Sequence, residues 1–347
     1  MISAFDGPGT ASNIAESMPA PAWPNNRAEK VRDQLSHLKK WTLARAAVVF
    51  TRQFGPRLER AFGILMYHRV CPRFRGVPAP TWNVTPERFR EQLSGLLARG
   101  YRPWPLKKVL ALHQKREAIP RHVFVVTFDD GYANNLHYAW PVLKELNVPA
   151  TIFLATAFID TEEPFPFDDW SAKGSSHVCP ESWKPLTFAQ CDQLLDSGLI
   201  ELGAHTHTHD DFRNRPQALA QDLSQCLDVL RCRFGISQAT FAFPYGTRKH
   251  GFSGPLLSEA VRKTGAICSL TTESTLVRPG DDSFDWGRFT AERDDTAATL
   301  AAKLDGWYGL LPAIRGLAGR PVTAIMPTFF DAIHSSFCEH VTRPILS

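Results

Sequence analysis

Several common protein features are missing from this sequence of 347 residues. It has no run of about 18 apolar residues, which argues against a membrane-spanning helix. Its seven cysteines are an odd number and include no C-x-x-C pair, which argues against a disulfide framework and favours a reducing compartment. The net charge of +4 is too small to indicate nucleic-acid binding. Residues 1–7 contain neither the basic nor the apolar segment of a signal peptide, so we expect a cytoplasmic protein.

The segment before residue 63 differs in composition from the rest of the chain. Residues 1–26 are rich in Gly, Pro, Ala, Ser and Asn, which predicts a disordered leader. Residues 27–62 predict a helical extension with nine basic and three acidic residues, a surplus of six positive charges. Such a helix can lie on an anionic membrane surface, or it can pack against the following domain with its charges in solvent. Both interpretations stay open, and the first would place the protein peripherally at the inner face of the membrane.

Strand-like and helix-like segments alternate from residue 63 to residue 310. The predicted strands span 63–68, 123–128, 150–154, 199–204, 240–243 and 266–270. The predicted helices span 85–98, 134–146, 187–197, 216–234, 255–264 and 296–308. This alternation predicts parallel strands, and six to seven such units favour an α/β fold with a distorted, incomplete (β/α) barrel of about seven strands. The functional site is then expected at the carboxyl ends of the strands. No role is predicted for the C-terminal tail, 311–347.

Two adjacent carboxylates follow the strongest predicted strand. Five of the six residues 123–128 are apolar and either β-branched or aromatic, which is typical of a buried strand. Asp129, Asp130 and Gly131 come directly after it. Carboxylates are rarely buried unless they are paired or bind a metal, and a cation would relieve the repulsion between two of them. The pair therefore indicates a cation site at this strand end.

Three histidines follow the strand predicted at 199–204. His205, His207 and His209 lie within five residues, on the same edge of a parallel sheet as the carboxylate pair. Two imidazoles and a carboxylate form an open metal site with room for water, which is typical of catalytic centres. His205 and His209 share one face of a helical turn, while His207 would join them only in an extended segment. The alternative is a surface cluster of histidines without a ligand.

Two weaker signals mark further strand ends. Residues 241–246 end a strand in a Pro-Tyr-Gly turn, whose backbone amides could stabilise an oxyanion. Tyr67 and His68 end the first strand, and a histidine at that position could act as a general acid. Alternatively, the turn is only a common strand ending and His68 only caps the core.

At these positions the sequence resembles the polysaccharide deacetylases with the NodB homology domain, carbohydrate esterase family 4. The resemblance covers residues 64–308 and rests on the motifs at 127–131 (TFDDG), 205–209 (HTHTH) and 243–246 (FPYG), with further likeness at 66–70, 101–103 and 149–154. It implies a distorted, incomplete (β/α) barrel and metal-dependent removal of N-acetyl groups, commonly with zinc.

The resemblance also implies roles for individual residues. Asp129 resembles the general base that takes a proton from the attacking water. Asp130, His205 and His209 resemble the ligands of a divalent metal, most commonly zinc, although this donor set also suits cobalt, nickel or iron. By analogy, the backbone N–H of Tyr245 would hold the oxyanion.

The sequence departs from the family pattern at two positions. The histidine that usually supplies the acid late in the domain has no counterpart between residues 289 and 308. His68 matches better, because deacetylases of the poly-N-acetylglucosamine type carry an early acid histidine in a Tyr-His strand end. The arginine usual in the third motif is replaced by Ala242. Arg288 is then predicted to orient Asp129, or else to form only a surface ion pair.

These patterns predict a metal-dependent hydrolase that removes N-acetyl groups from an N-acetylated amino sugar in an oligosaccharide, a polysaccharide or a lipid-linked glycan precursor. Two alternatives stay open: a deformylase or other amidase acting on a different C–N bond, and a catalytically inactive saccharide-binding module. The aromatic residues within 160–186 predict either a sugar-stacking rim or packing that anchors this long loop. None of these patterns predicts the sugar linkage, the substrate length or the oligomeric state.

Overall fold

The computed structural model describes residues 61–77, 79–168 and 178–306 of the chain. The predicted leader, 1–26, lies outside these ranges, as do residues 27–60 of the predicted helical extension and the tail, 311–347. Membrane contact through the extension therefore stays a prediction. Within the described ranges no helix is both long and apolar enough to cross a membrane.

The described residues form ten strands, most of them short. They are β1 (Gly63–Tyr67), β2 (Arg69–Val70), β3 (Asn83–Val84), β4 (Arg102–Pro103), β5 (Val123–Phe128), β6 (Ala150–Leu154), β7 (Ile200–Ala204), β8 (Phe241–Ala242), β9 (Ser269–Leu270) and β10 (Phe289–Thr290). Eight belong to one parallel sheet, in which seven follow the order β10-β1-β5-β6-β7-β8-β9 and β4 pairs with β5. The other two, β2 and β3, pair with each other. The predicted α/β architecture with parallel strands is confirmed.

Seven α-helices accompany these strands in the described residues. They are α1 (Pro86–Leu97), α2 (Leu106–Gln114), α3 (Trp140–Leu146), α4 (Phe188–Asp196), α5 (Pro216–Phe234), α6 (Pro255–Arg262) and α7 (Ala297–Leu304). Thr85 caps α1 by accepting a hydrogen bond from a first-turn N–H at 3.3 Å. Thr187 and Gln190 form a reciprocal capping box on α4. These polar caps explain why both helices begin where the sequence predicts.

Several elements differ from the prediction. The helix predicted at 134–146 is a π-helical turn, Asn135–Ala139, followed by α3. The strand predicted at 266–270 shortens to β9, because Ile267 N–H bonds to Ala239 O, outside any strand, at 3.0 Å. Both α2 and β10 are additional elements. No side chain caps α2, and β10 is only two residues long, so neither leaves a clear sequence signal.

One short segment links the two end strands of the curled sheet. Leu270 of β9 forms an isolated parallel bridge with Trp286, and Thr271 N–H donates to Trp286 O at 2.7 Å. Three residues after Trp286, β10 begins and pairs with β1. Because only a bridge and a two-residue strand join these ends, the barrel is distorted and incomplete, as predicted.

The two faces of the sheet have separate cores. Along β5, Phe124, Val126 and Phe128 pack in a cluster shared with α1 and with α3 to α7. Val123 and Val125 pack in a second cluster, which they share with α2. This alternation follows from the two-residue period of a strand. By the same period, Asp129 follows the strand on the face of Val123 and Val125.

Hydrogen bonding between β5, β6 and β7 continues beyond the strands. Asp130 O accepts from Ala155 N–H at 3.3 Å, and His205 N–H donates to Leu154 O at 2.9 Å. The end of β6 is therefore placed between the carboxylate pair and the first histidine. The sheet register brings these two motifs to the same edge, although they are far apart in the sequence.

Candidate metal centre

Asp130, His205 and His209 converge at the carboxyl end of the sheet. Asp130 Oδ1 lies 3.4 Å from Nε2 of His205 and 3.4 Å from Nε2 of His209. One ligand atom from each residue lies within 4.8 Å of the others, and all three residues are buried. The fold thus brings together the three residues predicted as metal ligands.

The donor set of these three residues fits a divalent metal such as zinc. Zinc bonds of about 2.0–2.1 Å in tetrahedral geometry separate ligand atoms by about 3.3 Å. The two separations of 3.4 Å around Asp130 Oδ1 are close to this value. Three protein ligands also leave a position open for water, as in catalytic zinc sites. The donor set does not distinguish zinc from cobalt, nickel or iron.

A hydrogen bond fixes the tautomer of His205, and a different hydrogen bond holds His207 away from the centre. Nδ1 of His205 lies 2.8 Å from Ala242 O. A carbonyl oxygen can only accept, so Nδ1 carries the proton and the lone pair of Nε2 is left for the metal. Nδ1 of His207 is instead hydrogen-bonded to Thr156 Oγ1 at 2.9 Å. His207 therefore points away from the site of the other two histidines.

Four non-glycine residues in the turns after β5, β7 and β8 have a left-handed backbone. The φ angles are +73° for Asp130, +67° for Thr206, +56° for His209 and +60° for Tyr245. Such conformations are uncommon for residues with a Cβ, and they concentrate at functional sites. Gly131 follows with a φ of +87°, and a Cβ there would lie 2.6 Å from a side-chain atom of β6. The turn after the carboxylate pair therefore requires glycine.

Asp129 lies beside the triad and is held by a cation of its own. Nη1 and Nη2 of Arg288 donate to its two carboxylate oxygens at 2.6 and 2.8 Å. Arg288 is completely buried and also donates to Thr127 Oγ1 at 3.3 Å. Asp129 Oδ2 lies 4.0 Å from Nε2 of His205. Arg288 is thus not part of a surface pair, and Asp129 is turned towards the metal ligands.

The charges of the site favour a cation at its centre. Burial alone would raise the pKa of Asp130, but hydrogen bonds from His205 and His209 hold that pKa well below its usual value. Burial would also raise the pKa of Asp129, yet the Arg288 guanidinium, together with His205 and His68, lowers that pKa. Burial would lower the pKa of His205, but the two carboxylates outweigh it and raise the pKa. A field that favours a proton on His205 also favours a metal ion there.

His68 follows β1 and lines the same cavity as the triad. It is half-buried, and its Nδ1 has no hydrogen-bond partner within the described residues. Its ring stacks on Trp82, with centroids 5.7 Å apart and planes at 22°. Burial lowers the pKa of His68, against the opposite effect of Asp130 and Asp129. The predicted acid and the predicted base therefore face one cavity.

Tyr245 lies in the turn after β8 and is 47% exposed. Its ring meets His209 edge-on, with centroids 5.0 Å apart, and stands 4.8 Å from the ring of Phe252. Its carbonyl accepts a hydrogen bond from Thr272 Oγ1 at 3.0 Å, which fixes the turn. The turn thus presents Tyr245 to the cavity, and the role of its backbone N–H stays a prediction.

The cavity has a volume of about 460 Å³ and opens to solvent. Its lining is Met66, His68, Arg69, Thr81, Trp82, Asp129, Asp130, Tyr132, Phe167, His205, His209, Tyr245, Thr247, His250, Phe252, Thr272 and Thr290. Three large apolar side chains are exposed in the described residues, and two of them, Trp82 and Tyr245, line this cavity. Trp82 is 53% exposed and has a φ of +56°, which is uncommon for a bulky residue. The cavity therefore combines polar groups with exposed aromatic faces.

The loop within 160–186 packs inward where the structure describes it. Phe165 is buried, and Phe167 stacks on His209 with centroids 3.9 Å apart. Trp183 is half-buried against a separate small cluster, and Trp170 lies outside the described residues. The anchoring alternative therefore fits Phe165, Phe167 and Trp183 better than a sugar-stacking rim does.

Arg69 and Trp82 are among the cavity residues that were not predicted from the sequence as site residues. Arg69 directly follows His68 and is only 3% exposed. Trp82 lies in a segment with no helical or strand periodicity. An arginine is usually exposed, so sequence alone gives no sign that Arg69 is buried. The run of Pro, Ala and Thr before Trp82 indicates a loop, but such runs are common and do not show that the loop borders a cavity.

Comparison with known proteins supplies the family. The family model described as polysaccharide deacetylase matches residues 116–261. This range contains Asp129, Asp130, His205, His209 and Tyr245. Residues 116–261 are a domain of the polysaccharide deacetylase family. The deacetylase is therefore a hydrolase of non-peptide carbon–nitrogen bonds in a metal-dependent family. His68 and Arg288 lie outside the matched range.

Curated relatives agree with this family. Poly-beta-1,6-N-acetyl-D-glucosamine N-deacetylase of Staphylococcus epidermidis is 25% identical over 235 residues, which are 65% of this chain and 73% of that protein. The protein of the same name from Staphylococcus aureus is 24% identical over 236 residues, again 65% of this chain and 73% of that protein.

Solved structures share the fold. The structure of IcaB from Ammonifex degensii superposes with a TM-score of 0.58 and 24% identity, covering 71% of this deacetylase and 97% of that chain. A de-N-acetylase from Aggregatibacter actinomycetemcomitans has a TM-score of 0.58 and 18% identity, covering 70% and 100%. The barrel predicted from the sequence is therefore the barrel of known deacetylases.

Proposed function

We propose that this protein removes N-acetyl groups from an N-acetylated amino sugar within an oligosaccharide or polysaccharide. The observation that carries the proposal is the position of Asp129, which Arg288 holds beside the Asp130, His205 and His209 triad in an open cavity. A metal site and a separately held base together can activate water for attack on an amide carbonyl. The names of the staphylococcal relatives support an N-acetylglucosamine polymer as the substrate class.

Asp130, His205 and His209 would hold the metal, which we propose to be zinc. Bound there, zinc supplies Lewis acidity for the acetamide carbonyl and lowers the pKa of water to about 7. The remaining tasks fall to side chains and to the backbone of the cavity.

Asp129 accepts the proton of the attacking water. Its two hydrogen bonds from Arg288 leave further lone pairs on each carboxylate oxygen, so it can still accept a proton from water in the cavity. The guanidinium also fixes the plane of the carboxylate, which keeps the base in one orientation. Arg288 is therefore a positioning residue in this proposal.

His68 donates a proton to the amine nitrogen as the C–N bond breaks. Without that proton the amine is a poor leaving group, and the tetrahedral intermediate returns to the amide. The backbone N–H of Tyr245 holds the carbonyl oxygen while it gains negative charge. The early histidine thus replaces the late acid histidine of other family members.

Sugar rings would rest on the exposed faces of Trp82 and Tyr245 at the cavity. Both aromatic side chains are about half exposed, so both can bury apolar area against the C–H face of a sugar.

We also propose a cytoplasmic protein with peripheral membrane contact through residues 27–62. Flotation of the full chain with anionic and with neutral vesicles would test that contact, and equal recovery with both would contradict it.

The proposed reaction is tested with metal-free protein that is reconstituted with zinc. The substrates are N-acetylglucosamine oligomers of β-1,4 and β-1,6 linkage, the matching N-formyl oligomers and free N-acetylglucosamine. We expect release of acetate from an oligomer in the presence of metal and none after chelation. Faster release of formate would instead support a deformylase. Zinc binding without release of either acid would support a saccharide-binding module.

A further inference from the structure

The two histidines of the metal centre are oriented in different ways. His205 donates a hydrogen bond from Nδ1 to Ala242 O at 2.8 Å. Nδ1 of His209 is buried and has no hydrogen-bond partner within the described residues. A metal-binding histidine almost always has a partner on its second nitrogen, which fixes the direction of the ring. Another contact must therefore orient His209.

The ring of Phe167 lies closer to the ring of His209 than the rings of His205 and Tyr245 do. The two ring centroids lie 3.9 Å apart, with planes at 25°. Phe167 in turn stacks on Phe165, with centroids 5.1 Å apart and planes at 27°. Phe165 meets Tyr132 edge-on at 4.7 Å, and Tyr132 is two residues after Asp130. A continuous row of aromatic rings thus connects the two ends of the metal centre.

Arg69 closes this row at its far end. Its guanidinium lies 4.1 Å above the ring of Tyr132, and Nη2 donates to the Tyr132 hydroxyl at 2.8 Å. The same Nη2 donates to the carboxylate of Asp168, the residue after Phe167. The side chains of Arg69 and Asp168 are 4% and 0% exposed. One guanidinium therefore ties together the segments that follow β1 and β5 and the loop that follows β6.

This buried ion pair is poorly explained by stability alone. Removing both charges from water costs several kcal/mol per ion, and a well-packed apolar pair is often at least as stable. A buried pair does impose one geometry on the segments that it joins. Here the joined segments carry the candidate acid His68, the proposed ligand Asp130 and the ring that covers His209.

We propose that Arg69, Asp168 and Phe167 form a positioning unit that fixes the ring of His209 for metal binding. The proposal rests on the metal centre and does not depend on which saccharide is the substrate. Phe167 blocks rotation of the imidazole, and the Arg69–Asp168 pair holds Phe167 in place. Loss of this unit should lower the affinity for zinc by about 10- to 100-fold, the usual effect of removing an outer contact of a metal ligand.

The first test is the zinc affinity of Phe167→Leu, measured by competition with a fluorescent zinc chelator. We expect the Kd for zinc to rise by about 10-fold or more. Phe158→Leu is the matched control, because Phe158 belongs to the same cluster and its ring meets Phe165 and Phe167 rather than His209. The control should bind zinc within about twofold of the wild type. Equal zinc affinity of a folded Phe167→Leu protein and the wild type would overturn the proposal.

The second test addresses the ion pair through Asp168→Asn. We expect a rise in the zinc Kd of similar size. The zinc Kd of the double variant with Phe167→Leu should not exceed the higher of the two single-variant values. The matched control is Glu162→Gln, which removes an exposed carboxylate on the same loop that pairs with Lys184. If Asp168→Asn binds zinc like the wild type, or if the two effects simply add, the role of Arg69 and Asp168 is refuted. A wild type that binds zinc but deacetylates no saccharide would refute the proposed function and leave this test intact.

Discussion

Arg288 and Asp129 form a completely buried ion pair with two parallel hydrogen bonds, although they are 159 residues apart. Arg288 lies in the segment that links the two ends of the sheet, and Asp129 lies at the end of β5. The linking segment therefore contributes a charge to the site in addition to joining the barrel. The pair keeps the carboxylate of Asp129, the proposed base, ionised and in one plane next to the proposed metal ligands.

Substitution of Arg288 should reduce catalysis more than substrate binding. Arg288→Met leaves a buried carboxylate without its partner, which should cost about 3–5 kcal/mol of unfolding free energy. Loss of the fixed carboxylate plane should lower kcat by about 100-fold, while KM changes little. Arg288→Lys keeps the charge without the two-pronged geometry and should be intermediate in kcat. Steady-state kinetics and urea denaturation check these outcomes. A kcat for Arg288→Met near that of the wild type would rule out the positioning role.

Substitutions of the two adjacent carboxylates, Asp129 and Asp130, should differ in their effect on zinc binding. Asp129→Asn should abolish acetate release and leave zinc bound, because Asp129 is not one of the three ligands. Asp130→Asn should lose both zinc and activity, since Asp130 is the anionic member of the triad found in the described residues. Metal content after dialysis, measured together with acetate release, distinguishes the two. If Asp129→Asn lost its zinc while Asp130→Asn kept it, the assigned roles would be reversed.

His68→Gln should affect substrates according to their leaving group. We expect amide hydrolysis to fall by about 10²- to 10⁴-fold, the usual contribution of a general acid. Hydrolysis of 4-nitrophenyl acetate should fall much less, because nitrophenolate leaves without a proton. Zinc content should stay at the wild-type level. Equal losses on the amide and on the aryl ester would show that His68 does not act as the acid.

Trp82→Ala should weaken binding of oligosaccharides. Loss of one stacking contact of about 1 kcal/mol corresponds to a roughly fivefold rise in KM for an oligomer. KM for 4-nitrophenyl acetate should change little, because that substrate does not extend over the rim. Leu256→Ala is the matched control, since Leu256 is 62% exposed and lies outside the cavity lining. A larger effect of Leu256→Ala than of Trp82→Ala would contradict a stacking role.

Stability should respond to pH through Glu201, a residue of β7. Burial raises the pKa of Glu201, and its carboxylate accepts hydrogen bonds from Thr151 Oγ1 at 3.1 Å and from Lys107 N–H at 3.3 Å. A carboxyl with a raised pKa contributes its stability below the pKa of the unfolded state and loses it as pH rises through the folded value. The unfolding free energy of Glu201→Gln, relative to that of the wild type, should therefore be higher at pH 7 than at pH 4.

The comparison needs denaturation curves of both proteins at the two pH values. Glu117→Gln serves as a control, because it removes an exposed carboxylate. A stability difference for Glu201→Gln that is the same at both pH values would show that Glu201 ionises as it does in the unfolded chain.

Much of the fold could be predicted because local patterns determine it. Residues 123–128 and 150–154 were predicted as strands with the observed bounds, and α5 with its observed ends, since apolar periodicity, proline and capping residues act within a few positions. The convergence of the three proposed metal ligands could be predicted because parallel strands bring their carboxyl ends to one edge. The chemistry of Asp130, His205 and His209 then suffices to recognise the centre.

Contacts between distant segments could not be predicted in this way. Nothing local to Arg288 shows that it will be buried against Asp129, and the sequence left a surface pair as an alternative. Burial of Arg69 and exposure of Trp82 both depend on how loops fold over the barrel end. The aromatic residues Phe165 and Phe167 suggested contact with sugar, yet they pack against one another and against His209.

The hydrogen bonds that join Asp130 to Ala155 and His205 to Leu154 bear on how this protein can change in evolution. Insertion of one residue into β5 or β7 would turn every following side chain of that strand to the opposite face. The apolar core and the metal ligands would then be lost in the same event. Chains that still fold therefore keep their ligands aligned, and changes of substrate preference can accumulate in segments such as the one before β3, where a change of length leaves the sheet intact.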